Sequence, residues 1–374
     1  MVPSRYPNGT VQNPATCGTK FSHAIISLVT RLTRRRLLSA VPAVGLGATA
    51  LHAAIPHSHG SAAAAEHDMN APAGSAGHRG NGHAGFRGGE VDHRANGFDP
   101  HLILRDFDEG TVSRLPNGRT LREWTIAAAE QEIEIAPGVR FAAWSYNGRI
   151  PGPTLRATEG DRLRIRFVNG GRHPHTIHFH GIHPAAMDGV AGLGDGEIPP
   201  GGETVYEFDA TPYGLHLYHC HVRPLAEHIA KGLYGAFVID PKNARKKADE
   251  MVMVMNGFDT NFDRANEVYA ANTIGFAYSE TPIQVKRNEL VRLYLVNVLE
   301  YDLINSFHLH GNFFDYIPTG TSKRRSELTD TVMLCQGQRG ILEMRFPDTG
   351  RYMFHAHQSE FTELGWMGFF EVVD

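Results

Sequence analysis

The chain has 374 residues, 41% apolar and 20% charged, enough for about two packed domains at roughly 100–200 residues each. Its net charge is −4, but residues 1–65 hold six basic residues and no acid, which leaves 30 basic against 40 acidic residues in the rest. The rest therefore lacks the basic field that a nucleic-acid or anionic-membrane partner needs.

No apolar run reaches the ~20 residues of a membrane span. Three cysteines (Cys17, Cys220, Cys335) cannot make a disulfide scaffold. The unusual count is 22 His.

Residues 1–65 read as an export signal. Thr33-Arg34-Arg35-Arg36-Leu37-Leu38-Ser39 resembles a twin-arginine motif, with Arg34 and Arg35 as the pair. An Ala-, Val-, Leu- and Gly-rich run follows, ending in the small residues Ala62–Ala65. An exported, periplasmic or extracellular protein is expected. Residues 66–100 are rich in Gly, Ala and His, too poor in large apolar side chains to bury a core, and predict a disordered linker. His57, His59, His67, His78, His83 and His93, with Met69, leave weak copper capture as the alternative to a plain solvated linker.

From residue 101 the pattern becomes short strands. Arg162-Leu163-Arg164-Ile165-Arg166-Phe167-Val168 alternates charged and apolar, as does Val291-Arg292-Leu293-Tyr294-Leu295-Val296. Each predicts a strand with one buried face. Three landmarks recur in order. Gly160 pairs with Arg287 at the start of these strands. His178-Phe179-His180-Gly181 pairs with His308-Leu309-His310-Gly311. His219-Cys220-His221 pairs with His355-Ala356-His357. The offsets are 127, 130 and 136 residues, so the chain contains an internal duplication. The class is all-β: two antiparallel β-sandwiches, over residues 101–242 and 243–374.

Side chains at i and i+2 of a strand share a face. The pairs His178/His180, His219/His221, His308/His310 and His355/His357 therefore each aim two imidazoles one way. Eight neutral imidazoles suit copper, zinc, iron or nickel. Cys220 points to the opposite face from His219 and His221. His175, three residues before His178, and His228, eight after Cys220, complete a His₂Cys set of the blue-copper type. Leu233, five residues past His228, takes the axial position and cannot coordinate. Cys335, in Val332-Met333-Leu334-Cys335, reads as a core-strand residue.

These motifs resemble the multicopper oxidases, in their two-domain, laccase-like branch, over roughly residues 130–374. The resemblance rests on Tyr146-Asn147-Gly148-Arg149-Ile150-Pro151-Gly152-Pro153 before Glu159-Gly160-Asp161, on His175-Thr176-Ile177-His178-Phe179-His180-Gly181, and on His219-Cys220-His221. It implies two tandem cupredoxin-like Greek-key domains and four coppers per chain. One is a type 1 copper at His175, Cys220 and His228. The type 2 copper takes His178 and His308. The type 3 pair takes His180, His219, His221, His310, His355 and His357. The reaction implied takes single electrons from a small phenolic or metal-ion donor and reduces dioxygen to water.

Asp188, in Asp188-Gly189, is the expected proton relay, with Glu360 and Glu363 as weaker candidates. The second copy has Ala356 for Cys220, Asn305 for His175 and Phe361 for His228, so only the first domain keeps the type 1 site. The family usually places the second type 1 His five residues after the Cys. Leu225 stands there, and His228 comes three later. With two domains rather than three, the resemblance implies a homotrimer whose clusters form between subunits.

Two alternatives remain. Copper nitrite reductases resemble this chain in the blue-copper set, but they carry an Asp where His178 stands and a small residue where His221 stands. A non-enzymatic copper-binding or electron-transfer protein has no need of eight cluster ligands.

Overall fold

The computed structural model describes residues 90–374. The export motif at Arg34 and Arg35, Cys17 and most of the His-rich stretch lie outside the described residues. Within them no helix is long and apolar enough to cross a membrane. The regular secondary structure is mostly strand, and among the described residues no helix is longer than Leu225–Ala230.

Four sheets form two tandem cupredoxin-like β-sandwiches. In the first domain one sheet runs Phe107–Asp108, Thr154–Thr158, Tyr234–Asp240, Gly214–His219 and His178–Phe179. Its partner runs Thr111–Arg114, Thr120–Ala136, Arg162–Asn169 and Glu203–Asp209, with Val139–Tyr146 also on Thr120–Ala136. The second domain repeats this plan. Thr120–Ala136 lies parallel to Arg162–Asn169, as Asp249–Phe258 does to Val291–Asn297. His178 sits opposite His219, and His308 opposite His355. The duplication read from the motifs is thus a duplication of strand pairing.

Strand Arg162–Asn169 alternates as expected: Leu163, Ile165 and Phe167 are buried, while Arg162, Arg164 and Arg166 face outward toward Glu203, Glu207, Asp209 and Glu123. Strand Val291–Asn297 departs from the expectation and is buried on both faces. Its second face meets the first domain, where Tyr294 and Val296 share one apolar cluster with Leu215, Leu217 and Tyr234. Arg292, only 2% exposed, is tolerated there because Glu250 and Glu343 accept from its guanidinium at 2.7 and 2.6 Å. A buried cation without such partners would be prohibitive. Glu250 also pairs with Arg156 of the first domain at 2.8 Å, so one acid ties the two sandwiches together.

Two expectations are corrected. The linker expected to reach residue 100 gives way to structure before that. Helix His93–Asn96 is capped by Asp92, and Val91 and Phe98 are buried in the interdomain cluster. Residues around 100–105 pack on the second domain: Tyr278 Oη donates to Pro100 O at 2.9 Å, Val252 N to Leu104 O at 2.9 Å, and Arg105 pairs with Asp249. Second, Cys335 is exposed rather than a core residue. It lies on the edge strand Thr331–Cys335, whose outward positions include Met333 and Cys335, while Val332 and Leu334 face the core.

Candidate metal centre

Cys220 follows strand Gly214–His219, and its N–H donates to Leu233 O at 2.9 Å. The thiol is fully buried. Its Sγ lies 3.1 Å from His228 Nδ1 and 3.9 Å from His175 Nδ1, and the two Nδ1 atoms are 3.3 Å apart. Three donors bonded at about 2.0–2.3 Å around one small ion would stand roughly 3.5 Å from one another. The donor chemistry and the triangle both fit a blue-type copper. The extra residues between Cys220 and His228 form helix Leu225–Ala230, which carries His228 back to the thiol. That turn explains the longer spacing. Leu233 is fully buried beside them. Burial pushes the Cys220 thiol up to about 11 and the His175 and His228 imidazoles down to about 4. The imidazoles therefore hold free lone pairs at neutral pH.

The other face of this strand end carries the first His group. Rings of His178 and His180 are 5.0 Å apart, His178 and His219 5.4 Å, His178 and His221 5.3 Å, and His219 and His221 5.8 Å. The second domain repeats the arrangement: 4.9 Å for His308/His310, 5.3 Å for His308/His355, 5.2 Å for His308/His357 and 6.0 Å for His355/His357. Backbone carbonyls fix the tautomers. Nδ1 of His178 donates to Asp188 O, that of His219 to Cys220 O, that of His308 to Asp330 O and that of His355 to Ala356 O. A carbonyl can only accept, so each Nε2 is left with its lone pair facing the group's centre. His180 Nε2 lies 2.9 Å from His219 Nε2, and His310 Nε2 lies 2.8 Å from His355 Nε2. Burial and neighbouring imidazoles hold His180 down at about 2 and His219 at about 4. Among the described residues no ring of one group touches a ring of the other. Each domain holds half of an eight-His set.

In the second domain the thiol site is gone in structure as in sequence. Ala356 N donates to Trp366 O as Cys220 N does to Leu233 O, and Trp366 N to Phe361 O as Leu233 N does to His228 O. Phe361, at the position that corresponds to His228, is buried and stacks on Tyr269 at 3.9 Å.

Of the three candidate acids, Asp188 reaches the His group. Its Oδ1 lies 2.9 Å from His178 Nδ1 and 3.4 Å from His183 Nε2. Glu360 and Glu363 are exposed on helix Ser359–Glu363, and neither carboxylate hydrogen-bonds a cluster imidazole among the described residues. Two neighbours escaped the sequence reading. His183, whose ring is 5.3 Å from that of His178, follows His180 at the spacing by which His178 follows His175, and that repeated spacing was the available signal. Trp144 packs on His175 and His228 at 5.1 and 4.8 Å, and no local motif announces it.

Comparison with known proteins agrees with this geometry. Multicopper oxidase family models match residues 127–244 and 246–374. A solved structure described as a multicopper oxidase is 62% identical, covering 76% of this chain and 100% of that chain at a TM-score of 0.75. The blue copper oxidase from Nitrosomonas europaea is 26% identical, covering 67% of this chain and 86% of that chain at a TM-score of 0.61. The copper-containing nitrite reductase of Neisseria meningitidis serogroup A / serotype 4A is 27% identical over 248 residues, 61% of this chain and 63% of that protein. The chain thus spans less than two thirds of this curated relative's length. Matching family models over both sandwiches, and a thiol–imidazole set beside paired His groups, lead to one conclusion: the chain belongs to the multicopper oxidase family, as a two-domain member.

Proposed function

We propose that the protein is a laccase-like oxidase that accepts single electrons from a phenolic or metal-ion donor at the Cys220 set and reduces dioxygen to water at an eight-His cluster. The observation that carries the reading is the completeness of both His groups. His178 and His221 are imidazoles in ring contact with each other, where the nitrite reductase pattern has an Asp and a small residue. Nitrite reduction remains the second reading because the curated relative at 27% identity is named for it. Export by the twin-arginine route is part of the proposal, on the strength of Arg34 and Arg35.

Copper held by these donors supplies the one-electron redox chemistry and the binding of oxygen. The chain's own contribution is spatial and protic. Cys220 is covalently continuous with His219 and His221, so a single stretch of backbone links the thiol set to the cluster set. His219 Nδ1 donates to the Cys220 carbonyl at 2.8 Å, which adds a second, shorter link. Four electrons and four protons convert one dioxygen into two waters. Asp188 is placed to hold a proton, half-buried and with Oδ1 on His178 and His183. Asp188→Asn keeps the shape and removes the carboxylate. It is expected to slow oxygen reduction by about tenfold or more, while reduction of the blue centre by donor is unchanged. Steady-state oxygen consumption unaltered across pH would leave Asp188 with an orienting role only.

Copper content tests the cluster directly. Elemental analysis of the copper-loaded chain is expected to give one copper at the Cys220 set plus three at the cluster. About two per chain would support the nitrite reductase plan instead.

A further inference from the structure

We propose that Trp144 is the bridge across which a planar aromatic donor passes its electrons to the Cys220 donor set. The proposal rests on the copper oxidase reading above. His175 and His228 are 1% and 3% exposed, so a donor molecule in solvent touches neither imidazole. The electron has to cross a layer of protein, and Trp144, itself 9% exposed, is part of it. Trp144 sits edge-to-face on both imidazoles, at 5.1 Å and 66° from His175 and at 4.8 Å and 69° from His228. Trp144 also packs against His173, an exposed imidazole, at 5.0 Å and 36°. A continuous aromatic path therefore runs from the surface to the ligands.

A second feature decides how that ring works. The Lys231 ammonium stands 5.2 Å from the Trp144 ring centroid and 4.3 Å from that of Phe262. A positive charge over an indole face attracts its π electrons and makes one harder to remove. Trp144 is thereby kept from becoming the oxidised species. It couples donor to ligands while remaining closed-shell.

Phe262 comes from the second domain and is 57% exposed. It occupies the left-handed region, φ 63°, which bulky L residues avoid. Asp259 supports this turn: its two carboxylate oxygens accept from Asp263 N and Arg264 N at 3.1 and 2.8 Å. The loop thus holds an exposed ring over the ammonium. A planar aromatic donor gains stacking on such rings. A hydrated metal cation gains none.

The step balances simply. The donor loses one electron and, if a phenol, its hydroxyl proton goes to solvent. A copper(II) ion held by His175, Cys220 and His228 would take up that electron and be reduced to copper(I). Trp144 ends as it began.

Anaerobic mixing of the copper-loaded protein with hydroquinone, following bleaching of the blue band, tests this. Trp144→Leu is expected to bleach about tenfold more slowly, and Trp144→Phe within about threefold of the parent. The copper EPR spectrum and reduction potential should be unchanged in both. Quenching of indole fluorescence on copper loading should be largely lost in Trp144→Phe, because the other two Trp do not pack on the ligands. Bleaching of Trp144→Leu at the parent rate with an intact blue spectrum would overturn the proposal. So would slow bleaching accompanied by a shifted potential and EPR spectrum, which is the mark of a packing role. A parent protein that never turns blue would sink the copper oxidase reading itself, and is seen before any variant is compared.

Discussion

Cys220→Ser is expected to abolish the blue colour and to reduce oxidation of every donor by about a thousandfold or more. The colour arises from charge transfer between a thiolate and copper, and Cys220 is the only thiol placed with two imidazoles among the described residues. A serine hydroxyl at the same buried position is a harder, far less acidic ligand, and His175 and His228 alone do not reproduce the site. The eight cluster imidazoles are untouched, since the Cys220 side chain faces away from His219 and His221. Copper analysis should therefore fall by about one equivalent, with the rest retained. Visible absorption, EPR and copper content on one preparation check all three points. A variant that stays blue places the type 1 site elsewhere in the chain.

The second large effect concerns assembly. Each chain carries two half-sets of four imidazoles that do not touch one another. A homotrimer would bring the first domain of one chain against the second domain of its neighbour and complete a cluster at each junction. His178→Ala and His355→Ala chains are each expected to be inactive alone. After mixed reassembly, about a quarter of the junctions would join two intact halves on random pairing, and oxidase activity should return to a comparable fraction. If each chain closed its own cluster, every site would keep one lesion and the mixture would stay inactive. A fully active monomer by light scattering would equally rule out clusters shared between subunits.

The His-x-His pairs and the His₂Cys set were legible as local spacing: His178, His219, His308 and His355 end or lie in strands, and the second His of each pair, just past its strand, still stands 4.9 to 6.0 Å ring to ring from the first. Strand periodicity failed at Cys335, because alternation states that two faces differ but not which one is covered on an edge strand. Strand Val291–Asn297 defeated it differently, since burial of its second face comes from another domain. Val91 and Phe98 were missed because two apolar residues in a Gly- and His-rich background make no periodic signal. Trp144 and Phe262 were invisible for a related reason. Their meaning depends on which side chains long-range packing brings beside them, namely His175 and His228 for the indole and Lys231 for the phenyl ring.

The most direct test of the central claim is donor-dependent gas consumption by the copper-loaded protein. With hydroquinone as donor, an oxygen electrode should record uptake with four electrons withdrawn per dioxygen and no peroxide released, while nitrite under argon is left unconsumed. Nitrite consumed without oxygen, or no oxygen uptake from a fully copper-loaded blue protein, would contradict the account.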